Sequence, residues 1–192
     1  AATGVVTRGD DGLINAEWHH CALIFDPADG GAINSVKMYI DGVEQIGIAC
    51  FALDQNAQVN TTATLPVIFG KTTSDVRFLD GDLDDIGIWE RSLSPHEIVG
   101  LFAGDIAIEL PSWLPSECLV AWFPFDGDAY DASANGHHGI VNGAVLTNGH
   151  TGLVQSAYAF DGAGANIDLG NASELGRAST SFSILGWVRL DE

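Results

Sequence analysis

Short apolar runs, some alternating and some continuous, recur along the chain between clusters of Gly, Asp and Asn, and helical periodicity is nearly absent. That pattern predicts an all-β protein of many short strands joined by tight turns. Trp18-His19-His20-Cys21-Ala22-Leu23-Ile24-Phe25 is apolar on both alternating faces, as a central strand covered on both sides should be. Asp26-Pro27-Ala28-Asp29-Gly30-Gly31 breaks it. Val36-Lys37-Met38-Tyr39-Ile40 places Val36, Met38 and Ile40 on one face and runs into Asp41-Gly42, a pair suited to a tight primed hairpin turn, with the returning strand from Val43. Further strands are expected at Leu65 to Gly70, Phe78 to Leu83 leading into Ile86 to Trp89, Leu119 to Phe125, Ser156 to Phe160, Ala165 to Gly170 and Ser181 to Leu190. Asp126-Gly127 and Asp161-Gly162 read as turns between them.

One short helix interrupts this pattern. Ser94 is a cap, Pro95 suits the first helical position, and Glu97 can reach back to the cap backbone, so a helix of about two turns is expected through Phe102. From Ala103 to Cys118 the composition shifts to Pro, Ser and acidic residues, with Trp113 and Leu114 as apolar anchors; this stretch reads as a linker.

Composition narrows the class. The chain has 192 residues, of which 46% are hydrophobic and 9% aromatic, enough for a packed core and against disorder. Seven basic against 26 acidic residues give a net charge of −19, which excludes nucleic acid and anionic membrane surfaces as electrostatic partners and suits divalent cations. No apolar run has the length of a membrane span, and Ala1-Ala2-Thr3-Gly4 does not read as a secretory leader. Cys21, Cys50 and Cys118 match no zinc spacing and permit one disulfide, for which Cys50 with Cys118 is preferred over Cys21 with Cys50; three buried thiols are the alternative. Sequons at Asn60 and Asn171, few basic residues and 23 glycines suit an extracellular or cell-surface protein, with the sequons as candidate glycosylation sites.

Gly81-Asp82-Leu83-Asp84-Asp85-Ile86-Gly87-Ile88-Trp89 with Glu90-Arg91-Ser92-Leu93-Ser94-Pro95-His96-Glu97-Ile98 resembles the closing strand and short helix of laminin G-like, concanavalin A-like jelly-roll domains. Leu119-Val120-Ala121-Trp122-Phe123-Pro124-Phe125-Asp126-Gly127, with Asp131-Ala132-Ser133-Ala134-Asn135-Gly136-His137-His138-Gly139, resembles the opening strand and first loop of the same family. Ser181 to Val188 is similar to its central strand, which normally runs on toward a Trp-His-His strand such as Trp18-His19-His20. The resemblance implies a two-sheet antiparallel jelly-roll sandwich whose C-terminal half (1–102) precedes its N-terminal half (119–192), joined by the linker 103–118. Such a chain is a circularly permuted domain, a window of a tandem array, or a subunit completed by a neighbouring chain. Head-to-tail exchange of half-modules builds fibres unless its rotation closes. The expected role is an extracellular structural or adhesive repeat unit that partners neighbouring copies of itself; the alternative is a carbohydrate-binding module for polysaccharide or glycoprotein glycans.

Candidate chemistry lies mainly in the first loop. Its crowded carboxylate, amide and backbone oxygens suit calcium, and the resemblance brings the loop near Asp84-Asp85, so Asp126, Asp131, Asn135 and Asp85 form the expected ligand set. Turn chemistry alone also accounts for the loop residues. His19-His20 and His137-His138 are strand or loop neighbours whose side chains diverge, and each matches a structural pattern of the resemblance. No strand carries the Glu-x-Asp-x-x-Glu of concanavalin A-like glucanases: Gly81 to Asp85, the nearest acidic run, has no glutamate and is expected in the turn before the closing strand. An enzyme is therefore not expected. Trp113 and Tyr130 are candidates to stack on sugars, whereas Trp18, Trp89, Trp122 and Trp187 sit in strand patterns and are expected in the core.

Overall fold

The computed structural model describes residues 13, 15–29, 36–46, 66–72, 76–104, 117–170 and 181–191. Among them the strands are β1 (His19–Phe25), β2 (Lys37–Ile40), β3 (Val43–Glu44), β4 (Ile68–Phe69), β5 (Asp80–Trp89), β6 (Leu119–Phe123), β7 (Ile140–Asn142), β8 (Val145–Thr147), β9 (Ala157–Asp161), β10 (Asn166–Asp168) and β11 (Phe182–Leu190). Among the same residues one α-helix, α1 (Pro95–Phe102), follows β5, and a 3-10 turn, Pro27–Asp29, follows β1.

The strands form two antiparallel sheets. The larger has the order β3-β2-β1-β11-β5-β9-β8, with β6 also paired to β5, and the smaller has the order β4-β10-β7. One edge of β5 is divided: Asp80 to Leu83 pair with β9, and Ile86 to Trp89 pair with β6. Its other edge pairs with β11, which in turn pairs with β1 from Phe25↔Phe182 to His19↔Val188. A strand from the end of the chain thus lies between two strands from its first half. Strands from both halves of the chain therefore share one sheet.

Apolar side chains cover both faces of that sheet. On one side Ile86, Ile88, Phe123, Phe125, Tyr158 and Phe160 pack with Ile167 of the smaller sheet. On the other, Ala22, Ile24, Tyr39, Trp89, Trp122 and Leu185 pack with Ile98 and Leu101 of α1. In β1 the face of His20, Ala22 and Ile24 is buried, whereas His19, Cys21 and Leu23 on the other are only half-buried. The helix begins as its sequence requires: Ser94 Oγ accepts from Glu97 N at 3.3 Å, while Glu97 Oε2 accepts from Ser94 N at 2.8 Å. Burial of Ile98 and Leu101 adds about 1.5–3 kcal/mol each.

The Asp41-Gly42 turn is also as expected, with both residues at positive φ, 51° and 77°. Asp41 then closes the hairpin over β1, accepting from His20 N at 2.9 Å through Oδ1 and meeting His19 Nδ1 at 2.8 Å through Oδ2. In β2 the buried residue is Tyr39, while Met38 and Ile40, on the opposite face, are only half-buried, because α1 covers the face that Tyr39 occupies. Two expectations need correction. The acidic run at Gly81 to Asp85 lies inside β5, where pairing with β9 and β11 extends the strand back through it, and not in a turn before it. Finally, β7 and β8, on either side of Gly143, are strands that the sequence reading does not include, each only three residues long and so too short for an alternating pattern. Residues 105–116 of the linker lie outside the described residues.

Candidate metal centre

Consecutive residues of a strand point to opposite faces, so Asp84 and Asp85 should diverge. A bulge changes this. Leu185 pairs with Gly87 and Trp187 with Asp84, so Asp85 and Ile86 stand opposite the single residue Gly186. Asp85 has φ of 48°, a left-handed conformation that is costly for a residue with a Cβ and that clusters at functional sites. Both carboxylates end up buried, Asp84 at 2% and Asp85 at 3% exposure.

The turn between β8 and β9 then lays His150 over them. Asp84 Oδ2 accepts from His150 N at 2.9 Å and lies 3.0 Å from His150 Nδ1, and Asp85 Oδ2 is 3.4 Å from the same nitrogen. The imidazole stacks on the indole of Trp187 with centroids 4.1 Å apart and planes 10° from parallel. Gly149 permits the approach: a Cβ there would stand 2.2 Å from Ser156 Oγ and 2.5 Å from Asp84 Oδ2. Asp84, Asp85 and Asp126 line a recess of about 30 Å³, with Thr151 and Ser156 hydroxyls and walls from Pro124 and Leu153.

The electrostatics of this recess are unfavourable as they stand. Asp84 Oδ1 and both oxygens of Asp85 are buried without a hydrogen-bond partner among the described residues. Burial, then the neighbouring carboxylates of Asp84 and Asp126, hold the Asp85 carboxyl far above the usual range. Burial, Asp84 and Asp128 raise Asp126 as well. An unpaired buried carboxylate costs several kcal/mol, and a cation shared by the cluster would offset that cost. Hard oxygens in a recess of ionic size therefore fit a divalent cation.

The four ligands expected from the sequence are divided. Asp85 and Asp126 line the recess, whereas Asp131 and Asn135 serve the loop itself. Asp131 Oδ1 accepts from Trp122 N at 3.0 Å and Ser133 N at 2.9 Å, and Oδ2 accepts from His137 N at 3.0 Å. Burial works against its charged form, but these bonds hold the carboxyl below the usual range. Asn135 Nδ2 donates to the carbonyls of Leu119 and Val120, each at 2.9 Å, and pins the loop to β6. Asp84 and His150 were not in the expected set; the Asn148-Gly149-His150-Thr151-Gly152 stretch reads only as a turn, and its approach to β5 spans 66 positions.

Elsewhere, Tyr130 is 63% exposed beside His138, with ring centroids 4.8 Å apart. Asp131 N donates to His138 Nδ1 at 3.1 Å, and His20 is wholly buried, so these histidines hold structure. Trp18 and Trp187 are half-buried on the outer face, where Arg189 lies over the Trp18 ring and pairs with Asp82. Cys118 is exposed and Cys21 half-buried, and among the described residues neither is in a disulfide. Cys50, Asn60, Trp113 and Asn171 lie outside the described residues.

Two antiparallel sheets packed face to face, closed by a capped helix and carrying an acidic recess at a bulge, define a β-sandwich of the lectin type. The chain belongs to the concanavalin A-like lectin/glucanases superfamily, whose laminin G-type family model matches residues 2–99. No curated protein and no solved structure is similar enough to the chain to match it. Among the described residues no helix is long and apolar enough to cross a membrane.

Proposed function

We propose that the chain is an extracellular, non-enzymatic adhesive module that binds carbohydrate, that its two half-sandwiches, in permuted order, close on each other within one chain, and that a divalent cation stabilises its recess. The observation that carries this reading is the place of β11 between β1 and β5. Both edges that a neighbouring copy would need for exchange of half-modules are occupied by strands of the same chain. The superfamily contains both lectins and glucanases. The absence of glutamate from β5, whose carboxylates are Asp80, Asp82, Asp84 and Asp85, favours binding over hydrolysis.

Adhesion is further supported by β7 and β8, edge strands among the described residues, which expose Ile140 at 65% and Val145 at 66%, and by exposed Tyr130 near the first loop. Calcium held by oxygens of Asp85 and Asp126 is the cation first suggested by the loop chemistry. The test combines light scattering over a dilution series with a glycan array. A monomer at every concentration that retains a defined polysaccharide supports the reading. Open filaments that grow with concentration would assign the same strand pairs to neighbouring copies and give the module a fibre-forming role.

A further inference from the structure

The geometry points to a mixed nitrogen and oxygen site, formed by Asp84, Asp85 and His150 Nδ1, that takes a transition ion of the zinc type in preference to calcium. This inference rests on the cation reading of the recess and concerns which ion it selects. One donor atom from each residue lies within 4.8 Å of the other two. Donors bound to one ion at about 2.0–2.2 Å stand roughly 3.0–3.5 Å apart at octahedral or tetrahedral angles. The separations from His150 Nδ1 to Asp84 and Asp85, 3.0 Å and 3.4 Å, fall within that range.

The nature of the donors decides between ions. Calcium takes oxygen ligands, six to eight of them, whereas imidazole suits zinc and its transition-metal neighbours. His150 is also oriented for the task. Its ring is clamped flat on Trp187, with Trp18 edge-on at 6.4 Å, and its backbone N–H is anchored on Asp84, so Nδ1 is directed at the two carboxylates. A second observation concerns hydrogen bonding: both oxygens of Asp85, which is 3% exposed, are buried and have no hydrogen-bond partner among the described residues. The recess that Asp84 and Asp85 share with Asp126, of about 30 Å³, has room for a water beside the same two carboxylates.

The test uses the full chain, stripped with a chelator and titrated by calorimetry with Zn²⁺, Co²⁺ and Ca²⁺, beside His150→Ala and Asp85→Asn. Expected are about one Zn²⁺ per chain, Co²⁺ absorption bands of a nitrogen-containing site, and a loss of Zn²⁺ affinity of roughly 100-fold or more in His150→Ala, since even outer-shell changes cost 10–100-fold. Nitrogen-15 shifts of the His150 ring on adding Zn²⁺ to the unaltered chain report ligation at Nδ1 without a variant. Calcium binding that ignores His150→Ala, with no Zn²⁺ competition, would overturn the transition-ion assignment and leave the cation reading intact. Zn²⁺ binding that survives His150→Ala, through other histidines, would also overturn it. No binding of any ion would overturn both.

Discussion

Ser183 and Leu93 stand 90 positions apart in sequence and one hydrogen bond apart in space, with Leu93 N donating to Ser183 Oγ at 2.8 Å. The same hydroxyl donates to the Arg91 carbonyl at 2.7 Å, and Ser183 is wholly buried. It therefore ties β11, from the end of the chain, to the segment leading into α1.

Ser183→Ala removes that tie and leaves a buried N–H and a carbonyl short of a partner. The expected cost is about 1–3 kcal/mol, read as a lower urea midpoint at unchanged slope. A change under about 0.5 kcal/mol would place the Leu93 N–H in contact with water instead.

His20 is packed against Trp187 and Phe102, with both ring nitrogens unpartnered among the described residues. Burial lowers its pKa to about 4, against a raising effect of Asp41 and with a smaller lowering by His150. Because the folded value lies below the unfolded one, its contribution to stability is present above about pH 6.5 and is lost as pH falls toward 4. His20→Leu should lack this contribution, so its stability relative to the unaltered chain rises over that window in urea titrations. The His20 ring protons should titrate near pH 4 by NMR.

Glu97 closes the helix cap and pairs with Arg91, whose Nη1 donates to Oε2 at 3.1 Å. The Arg91 hydrogen bond first, and then the Ser94 bonds, lower its pKa to about 2 against the effect of burial. The folded carboxylate thus contributes stability above its ordinary pKa of 4.5, and this is lost as pH falls toward 2. The penalty of Glu97→Gln should be full at pH 6 and shrink toward pH 2. Ser94→Ala should cost about 1 kcal/mol at pH 6.

Gly149→Ala should cost about 1–3 kcal/mol, since its Cβ would collide with Ser156 Oγ and Asp84 Oδ2 and part of the turn must move. Displacement of Asp84 also weakens cation binding in the same variant, measured by calorimetry. Full stability with full affinity would show that the turn is not seated on Asp84 as described.

What the sequence made legible is local. The cap at Ser94 and the Asp41-Gly42 turn follow from residue spacing, and the structure reproduces both; β1 is a strand as read, but only its His20, Ala22 and Ile24 face is buried throughout. Half of the recess was legible too: Asp85 and Asp126 were marked by their oxygens. His150 was not, because a bulge in β5 and a turn 66 positions away must meet before its role exists. Asp131 and Asn135 carried the same signal as Asp85 and Asp126, and only their hydrogen bonds to backbone mark them as bracing the loop. Alternation set Met38 and Ile40 apart from Tyr39 in β2, but does not by itself say which of the two faces a helix will cover.

The position of β11 sets a timetable for synthesis. As the chain leaves the ribosome, β1 and β5 are finished long before the strand that joins them. About 90 residues separate Leu93 from Ser183. At about 5–20 residues per second, the gap at the middle of the large sheet stays open for roughly 5–20 s. During that interval the nascent chain offers two bare strand edges to anything nearby, including the unfinished copy on the next ribosome.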